Sequence, residues 1–359
     1  MAVPPPDYGG TELVVDQLAR GLVAAGQQVT LFTTGDATCP VERRWSLPEA
    51  VGTTASLYEE LGHVQAAYRA LGRCDVVHDH TLLGPMWAST IGFTSPVVTT
   101  AHGELTSELA ELFAAVGRHV AVIAISEHQR ATAPRVPVSA VIHHGIDVDA
   151  QIPGEGDGGY VAFLGRMHPD KGVHRAIHVA RAAGKRLRIA AKMWEPIEVR
   201  YFEQVVRPLL GEDVEYVGQV GGPAKHDLLA GAEALLNPIR WPEPFGLVMI
   251  EALAVGTPVL AFPEGAAPEI VDHGTTGFLC ADEDDMAARL ADVGSIDRRA
   301  CRRAALDRFS TRRMVEDHLR LYRQLVESHA RVVDLRAQPG SAAAGTADLP
   351  QATSERRWS

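Results

Sequence analysis

Two carboxylates, Glu243 and Glu251, bracket the run Pro244-Phe245-Gly246-Leu247-Val248-Met249-Ile250. On a continuous helix this spacing, a little over two turns, would put both acids on one face. Pro244 holds the residue before it away from helical angles. The sequence therefore predicts a loop at Glu243 and a helix from Phe245 to Val255. One acid then stands beside a helix N-terminus and the other two turns along it. The backbone N–H groups of Gly246, Leu247 and Val248 lie between them, free to bind an anion. Two acceptors flanking an anion cradle suit a nucleotide sugar: one carboxylate for sugar hydroxyls, one for ribose hydroxyls, amides for the diphosphate.

The segment resembles the E-x7-E motif of retaining glycosyltransferases of family 4. Its flanks strengthen the likeness: Asn237-Pro238 before it, and Ala252-Leu253-Ala254-Val255-Gly256-Thr257-Pro258-Val259 after it. The resemblance implies the GT-B architecture, α/β, with two Rossmann-like doubly wound domains facing across a cleft. It also implies retaining, metal-independent transfer of a hexose from a nucleotide diphosphate sugar, with UDP-glucose the default donor and the acceptor unidentified. No cofactor is expected beyond that co-substrate.

Other stretches follow in the family order. Gly165-Arg166 ends a strand candidate, and Lys171-Gly172 comes five residues after Arg166. A rigid guanidinium and a mobile ammonium at one strand end can bracket a diphosphate and neutralise its leaving charge. G-R-x-x-x-x-K-G resembles the family's diphosphate pair, and here the two cations would take the part a divalent ion plays elsewhere. His102, after Val97-Val98-Thr99-Thr100-Ala101, is a strand-end His followed by Gly103. In the family the matching His contacts a hydroxyl of the reacting sugar; the bland alternative is a His satisfied by Glu104. Gly9 and Gly10 match the family's glycine loop, where backbone approaches the ligand and a helix begins. His143-His144-Gly145-Ile146-Asp147 resembles N-G-[VI]-D, with His144 where Asn is common. The expected catalytic set is thus His102, Glu243, Arg166 and Lys171. Substrate binding would add Gly9, Gly10, Phe245, Gly246, Leu247, Val248 and Glu251.

Several patterns are set aside. Asp147-Val148-Asp149 has the form D-x-D but lies between domains, away from a nucleotide fold signal. His78-Asp79-His80 could offer metal ligands, yet no third ligand is evident; it reads as a strand end lining the acceptor side. Gly154–Gly159 spells G-x-G-x-x-G but precedes a strand, where the dinucleotide fingerprint must follow one. No P-loop and no G-x-S-x-G occur.

The elements that must position these residues alternate strand and helix in both halves, the pattern of parallel sheets wrapped by helices. First-half strands are expected at 28–34, 75–78, 97–102, 120–126 and 138–143, with helices at 12–25, 57–71, 105–116 and 127–133. Second-half strands are expected at 160–164, 187–191, 214–217, 234–237, 258–262 and 277–279. Second-half helices are expected at 173–183, 197–210, 223–232, 245–255 and 284–290. We divide the chain into an acceptor-side domain (1–152), a nucleotide-sugar domain (153–309), a helix (310–333) crossing back to the first domain, and a disordered tail (334–359).

At 359 residues the chain suits two cores. Its apolar fraction of 46% and charged fraction of 22% are those of a soluble globular protein. A net charge of -11 argues against nucleic acid as a main partner. The partners expected are the nucleotide sugar and a small-molecule, glycan or lipid-linked acceptor, with peripheral membrane contact allowed. The four cysteines are scattered, as in a reducing compartment, so a cytoplasmic location is expected. No signal peptide and no run of about 18 apolar residues is evident.

One defect stands out. The glycine loop at Tyr8-Gly9-Gly10 should follow a central first strand, but only Met1-Ala2-Val3-Pro4-Pro5-Pro6-Asp7 precedes it. Three prolines cannot serve a central strand. The expectation is that a native strand is missing, through a start codon placed too late or a truncated chain. A non-catalytic nucleotide-sugar-binding protein, or an inactive truncated homologue, is therefore the alternative. A sugar phosphorylase or epimerase on the same architecture is a third reading.

Overall fold

The computed structural model describes residues 2–6, 9–51, 56–72, 74–91 and 93–337. The first half contains α1 (Gly10–Ala24), β1 (Thr30–Thr33), β2 (Glu42–Trp45), α2 (Leu57–Ala70), β3 (Val77–Asp79) and α3 (Gly84–Ile91). It continues with β4 (Val97–Ala101), α4 (Ser107–Val116), β5 (Ala121–Ala124), α5 (Glu127–Thr132) and β6 (Val138–Val141). The strands β3, β4, β5 and β6 form one parallel sheet in that order, and β1 and β2 pair separately, also in parallel. Residues 2–6 form no strand, and among the described residues no strand joins the two sets. Tyr8, part of the glycine-loop reading, lies outside the described residues.

The second half has β7 (Val161–Arg166), α6 (Val173–Ala182), β8 (Leu187–Lys192), α7 (Pro196–Tyr201), β9 (Val214–Gly218), α8 (Gly222–Ala230) and β10 (Leu235–Asn237). Then come α9 (Leu247–Ala254), β11 (Val259–Ala261), α10 (Ala267–Ile270), β12 (Gly277–Leu279), α11 (Glu283–Arg289), α12 (Arg298–Phe309) and α13 (Thr311–Ala337). Its sheet is parallel throughout, in the order β12-β11-β10-β7-β8-β9. Strand order reverses between β7 and β10, so the crevice for a ligand opens beyond the carboxyl ends of those two strands.

The second sheet is dry on both faces, with Val161, Ala162, Ile189, Leu235, Val259 and Leu260 all out of contact with water. Continuous apolar runs of this kind are what a helix-covered parallel sheet requires. The helix α13 packs on α1, where Met314 and Val315 join Val14, Leu18, Ile123 and Ile142 in one cluster. The contact is close because residue 21 is glycine: a Cβ there would lie 2.5 Å from Cγ2 of Val315. Ile146 bridges to Ser310, with Ile146 N–H donating to Phe309 O and Thr311 N–H to Ile146 O, both at 2.9 Å. These bonds tie the end of the first half to the α12–α13 junction.

Several expectations need correction. The helix begins at Leu247, two residues later than expected, because Gly246 adopts a left-handed conformation (φ 107°) as its N-cap. The exposed strand β2, like α3, α10 and α12, was not anticipated. The C-terminal helix runs to Ala337, so residues 334–337 are helical and not part of a tail. Residues 338–359 lie outside the described residues. Cys39, Cys280 and Cys301 are free, buried thiols, and burial pushes each up to about 12, which leaves no reactive thiolate at neutral pH.

Candidate active site

The switch point gathers the second-half residues. Arg166 is the last residue of β7 and pairs in register with Lys192, the last of β8. A single 3-10 turn (Pro169–Lys171) follows β7 and stops at Gly172 (φ 75°). A Cβ on Gly172 would lie 2.4 Å from Pro238 O, so only glycine lets this turn reach the end of β10. The turn aims Lys171 into the crevice, where Nζ bonds directly to Oε1 of Glu243. Nζ also lies 5.2 Å from the centroid of the Trp241 ring. The second oxygen of Glu243, Oε2, is buried and has no hydrogen-bond partner among the described residues. A buried carboxylate oxygen without a donor loses hydration it would have in water, so a ligand hydroxyl placed there would restore a bond.

Glu243 is held from its backbone side. Its carbonyl accepts the N–H of Ala266 at 3.0 Å, and a Cβ on Gly265 (φ 57°) would lie 2.3 Å from that carbonyl oxygen. Beyond it, Phe245 and Gly246 are buried; Met249 N–H bonds to Gly246 O at 3.1 Å, and the N–H groups of Leu247 and Val248 before it have no helical carbonyl to bond. Glu251, farther along α9, pairs with Lys225 of α8 at 2.5 Å. The two acids thus carry separate ammonium partners.

Arg166 is less tightly held. Its Nη1 lies 3.9 Å from Oε1 of Glu198, and its side chain is 30% exposed. Glu198 is fully buried and accepts from the N–H groups of Trp194 (2.8 Å) and Glu195 (3.1 Å). Burial alone would raise its pKa, but those donors and Lys192, at 3.4 Å, outweigh it and hold the carboxyl below its ordinary value. Lys192, Glu198 and Lys225 were not singled out in the sequence. Lys192 and Lys225 become visible only once β8 and α8 are placed beside the crevice.

The first half closes the site. Gly10 starts α1, and a Cβ on it would lie 3.0 Å from Cδ1 of Leu247. The N-terminal ends of α1 and α9 are therefore neighbours across the cleft, and both carry unsatisfied N–H groups and partial positive charge. The ring of Phe245 meets that of His144 edge-on at 5.1 Å, and that of His143 at 5.6 Å. Glu269 of α10 bridges the halves. Its carboxylate accepts from the N–H groups of Glu127 (2.8 Å) and His128 (2.7 Å) at the start of α5, and lies 2.8 Å from Nε2 of His143. Burial raises its pKa, but the three donors overcome that and lower it below the ordinary value.

His102 follows β4, and its partner is another histidine, not Glu104: Nε2 is 2.9 Å from Nδ1 of His80. His144 stacks on it at 5.3 Å. Burial drives the pKa of His102 down to about 4. His78 and His80 sit one behind the other at the end of β3, and among the described residues no group of three or more potential ligands could hold a metal ion.

Two family models match this chain: Glycosyltransferase Family 4 over residues 8–150 and Glycosyl transferases group 1 over residues 158–294. The chain belongs to glycosyltransferase family 4. It is 28% identical to a phosphatidyl-myo-inositol mannosyltransferase of Mycobacterium leprae, over 79% of this chain and 82% of that one. It is 28% identical to a D-inositol 3-phosphate glycosyltransferase of Mycolicibacterium smegmatis, over 85% of this chain and 82% of that one. The crystal structure of AviGT4, a glycosyltransferase involved in avilamycin A biosynthesis, superposes with a TM-score of 0.69 at 26% identity, covering 91% of this chain and 93% of that one. The fold is GT-B, and the protein is a glycosyltransferase. Among the described residues no helix is long and apolar enough to cross a membrane.

Proposed function

We propose that this glycosyltransferase moves a hexose from a nucleoside diphosphate sugar to an acceptor hydroxyl with retention at the anomeric carbon. The observation that carries this reading is the direct contact of Lys171 with Glu243 at the switch point, beside the N-terminus of α9. A cation for the leaving diphosphate and an acceptor for sugar hydroxyls are thereby within one small volume. Arg166 and Lys171 stabilise the charge that develops on the β-phosphate as the C1–O bond breaks. The amides of Leu247 and Val248, with the start of α1 at Gly9 and Gly10, bind the same group. Glu251 accepts from the ribose hydroxyls, turning away from Lys225 to do so. Glu243 holds the sugar hydroxyls through Oε2, and His102 contacts one from the opposite side.

By the chain's likeness to retaining family 4 enzymes, we read the reaction as a front-face displacement, and no nucleophilic carboxylate is assigned on the first-domain side. The acceptor oxygen bonds to C1 on the face the phosphate leaves, and its proton passes to the departing phosphate oxygen. Two cations replace a divalent ion in this scheme, so chelator is expected to leave the rate unchanged. UDP-glucose is the first donor to test, together with mannosyl and other nucleotide sugars, and inositol-based acceptors enter the panel because two relatives carry inositol in their names. We place the enzyme in the cytoplasm, where its free thiols stay reduced.

The test is a thermal-shift screen of nucleotide sugars, since ligand bound to the folded state raises the melting temperature, followed by diphosphate release and NMR of the product anomer. Binding with sugar release and a retained anomer supports the reading. Binding with no release to water or any acceptor supports the non-catalytic alternative, and an inverted anomer refutes front-face displacement.

A further inference from the structure

Five histidines converge where the first-half sheet meets α13: His78, His80, His102, His144 and His318. His78 is clamped, with Nδ1 2.6 Å from the Tyr322 hydroxyl and Nε2 2.8 Å from Oγ1 of Thr100. Its ring lies 4.0 Å from that of His80 and 5.4 Å from that of His318. His318 is buried and its Nδ1 lies 2.7 Å from the Met314 carbonyl, so it donates there. The clamped His78 and its stacking thus give His80 a fixed wall. His80 in turn meets Nε2 of His102 at 2.9 Å, while Nδ1 of His102 is buried with no partner among the described residues.

All five rings are kept neutral by removal from water, reinforced for most of them by their histidine neighbours. The charged groups that act on the cluster are Arg313 and Asp317, both on α13, through His144 and His318. A neutral imidazole carries one N–H and one bare nitrogen. The bond between His80 and His102 therefore decides both tautomers. If His102 donates through Nε2, its Nδ1 is a bare acceptor; if it accepts, Nδ1 carries a buried, unpartnered N–H. Buried backbone N–H groups left without a partner are rarer than under-satisfied carbonyls; by that analogy we take the first arrangement, and the ring-nitrogen spectrum tests it.

We infer that His80 is the positioning residue for His102: by accepting the Nε2–H it locks the ring so that the bare Nδ1 accepts a hydroxyl of the transferred sugar. This rests on the proposed function, in which His102 faces that sugar. In this reading His80 acts through its neighbour, by the 2.9 Å contact between the two rings.

The test begins with the wild-type protein and 15N spectra of the histidine rings. Expected are protonated Nε2 and unprotonated Nδ1 on His102, with a protonated Nε2 and bare Nδ1 on His80. The opposite pair, or an averaged tautomer, overturns the inference without any variant. Then His80→Leu and His80→Asn are compared, because an Asn carbonyl can replace the lost acceptor and a Leu cannot. His80→Leu should lower kcat on the order of tenfold to hundredfold, the cost of a mispositioned group, with UDP affinity unchanged. His80→Asn should recover most of that loss. Equal damage in both variants, or equal loss of UDP binding, overturns the positioning role. If the wild type binds UDP yet never releases sugar, the functional reading fails alone, and the ring-nitrogen spectrum still decides the pairing.

Discussion

Replacing Glu243 with alanine separates the two roles assigned to the crevice. The carboxylate is bound to Lys171, whose side chain is 11% exposed while that of Glu243 is 18% exposed. Opposite charges in direct contact attract by roughly 4–5 kcal/mol at an effective dielectric near 20. Desolvation of both groups and lost side-chain freedom cancel most of that, leaving about 1–3 kcal/mol for a charge-assisted bond. An incoming diphosphate must share or displace this bond. Glu243→Ala removes the competitor and leaves Lys171 with an unmet charge that only the diphosphate can satisfy. UDP affinity should therefore stay level or rise, by up to about tenfold, since ~1.4 kcal/mol is a factor of ten. Turnover should fall by about 100-fold or more, because the acceptor for the sugar hydroxyls is gone. Calorimetric titration with UDP and a diphosphate-release assay measure the two quantities on one sample. A parallel fall in UDP affinity and turnover would refute the division of labour between Lys171 and Glu243.

Gly246→Ala should lose roughly 1–3 kcal/mol of stability, the scale of a side chain forced into a left-handed conformation, and transfer with it; φ is 107° and the new Cβ would lie 2.5 Å from Cε of Met249, so an unchanged melting temperature would contradict this geometry. Glu269→Gln should lower thermal stability at neutral pH, since it weakens the bridge to α5 and His143. The folded pKa of Glu269 is depressed, so its contribution is present above the ordinary value of 4.5 and is lost as pH falls through the lower folded value; the gap between wild type and variant should therefore close in strong acid. The histidine cluster acts in a higher window. The neutral rings are favoured by folding, so below the ordinary 6.5 the unfolded chain takes up protons first, and stability should decline from about pH 6.5 toward about 4, where His102 and His318 finally titrate. Stability that is flat between pH 7 and 5 would show that the rings are not shielded as their packing indicates.

The sequence alone determined the alternation of strands and helices and the order of motifs, because both depend on local chemistry. Apolar runs that fit a parallel sheet, prolines that exclude helix and glycines that permit tight turns act within a few residues of where they stand. Arg166, Lys171, Glu243 and Glu251 could be named before any fold was known because their motifs resemble those of family 4. The start of α9 was misplaced because the angle at Gly246 depends on its tight neighbours, not on its own type. The strand β2 escaped notice because its residues Glu42, Arg43, Arg44 and Trp45 are mostly exposed and lack the alternation that marks a half-buried strand.

Pairing was decided by tertiary structure. Lys171 and Glu243 are 72 positions apart and Glu269 and His143 are separated by 126, distances over which composition carries no information. His102 and His80 could be assigned to strand ends, but their shared bond exists only because β3 and β4 lie side by side in parallel register, with Asp79 opposite Thr99. Charge and hydrogen bonding act over a few ångströms of space, and only the packed sheets and helices set which residues come within that range.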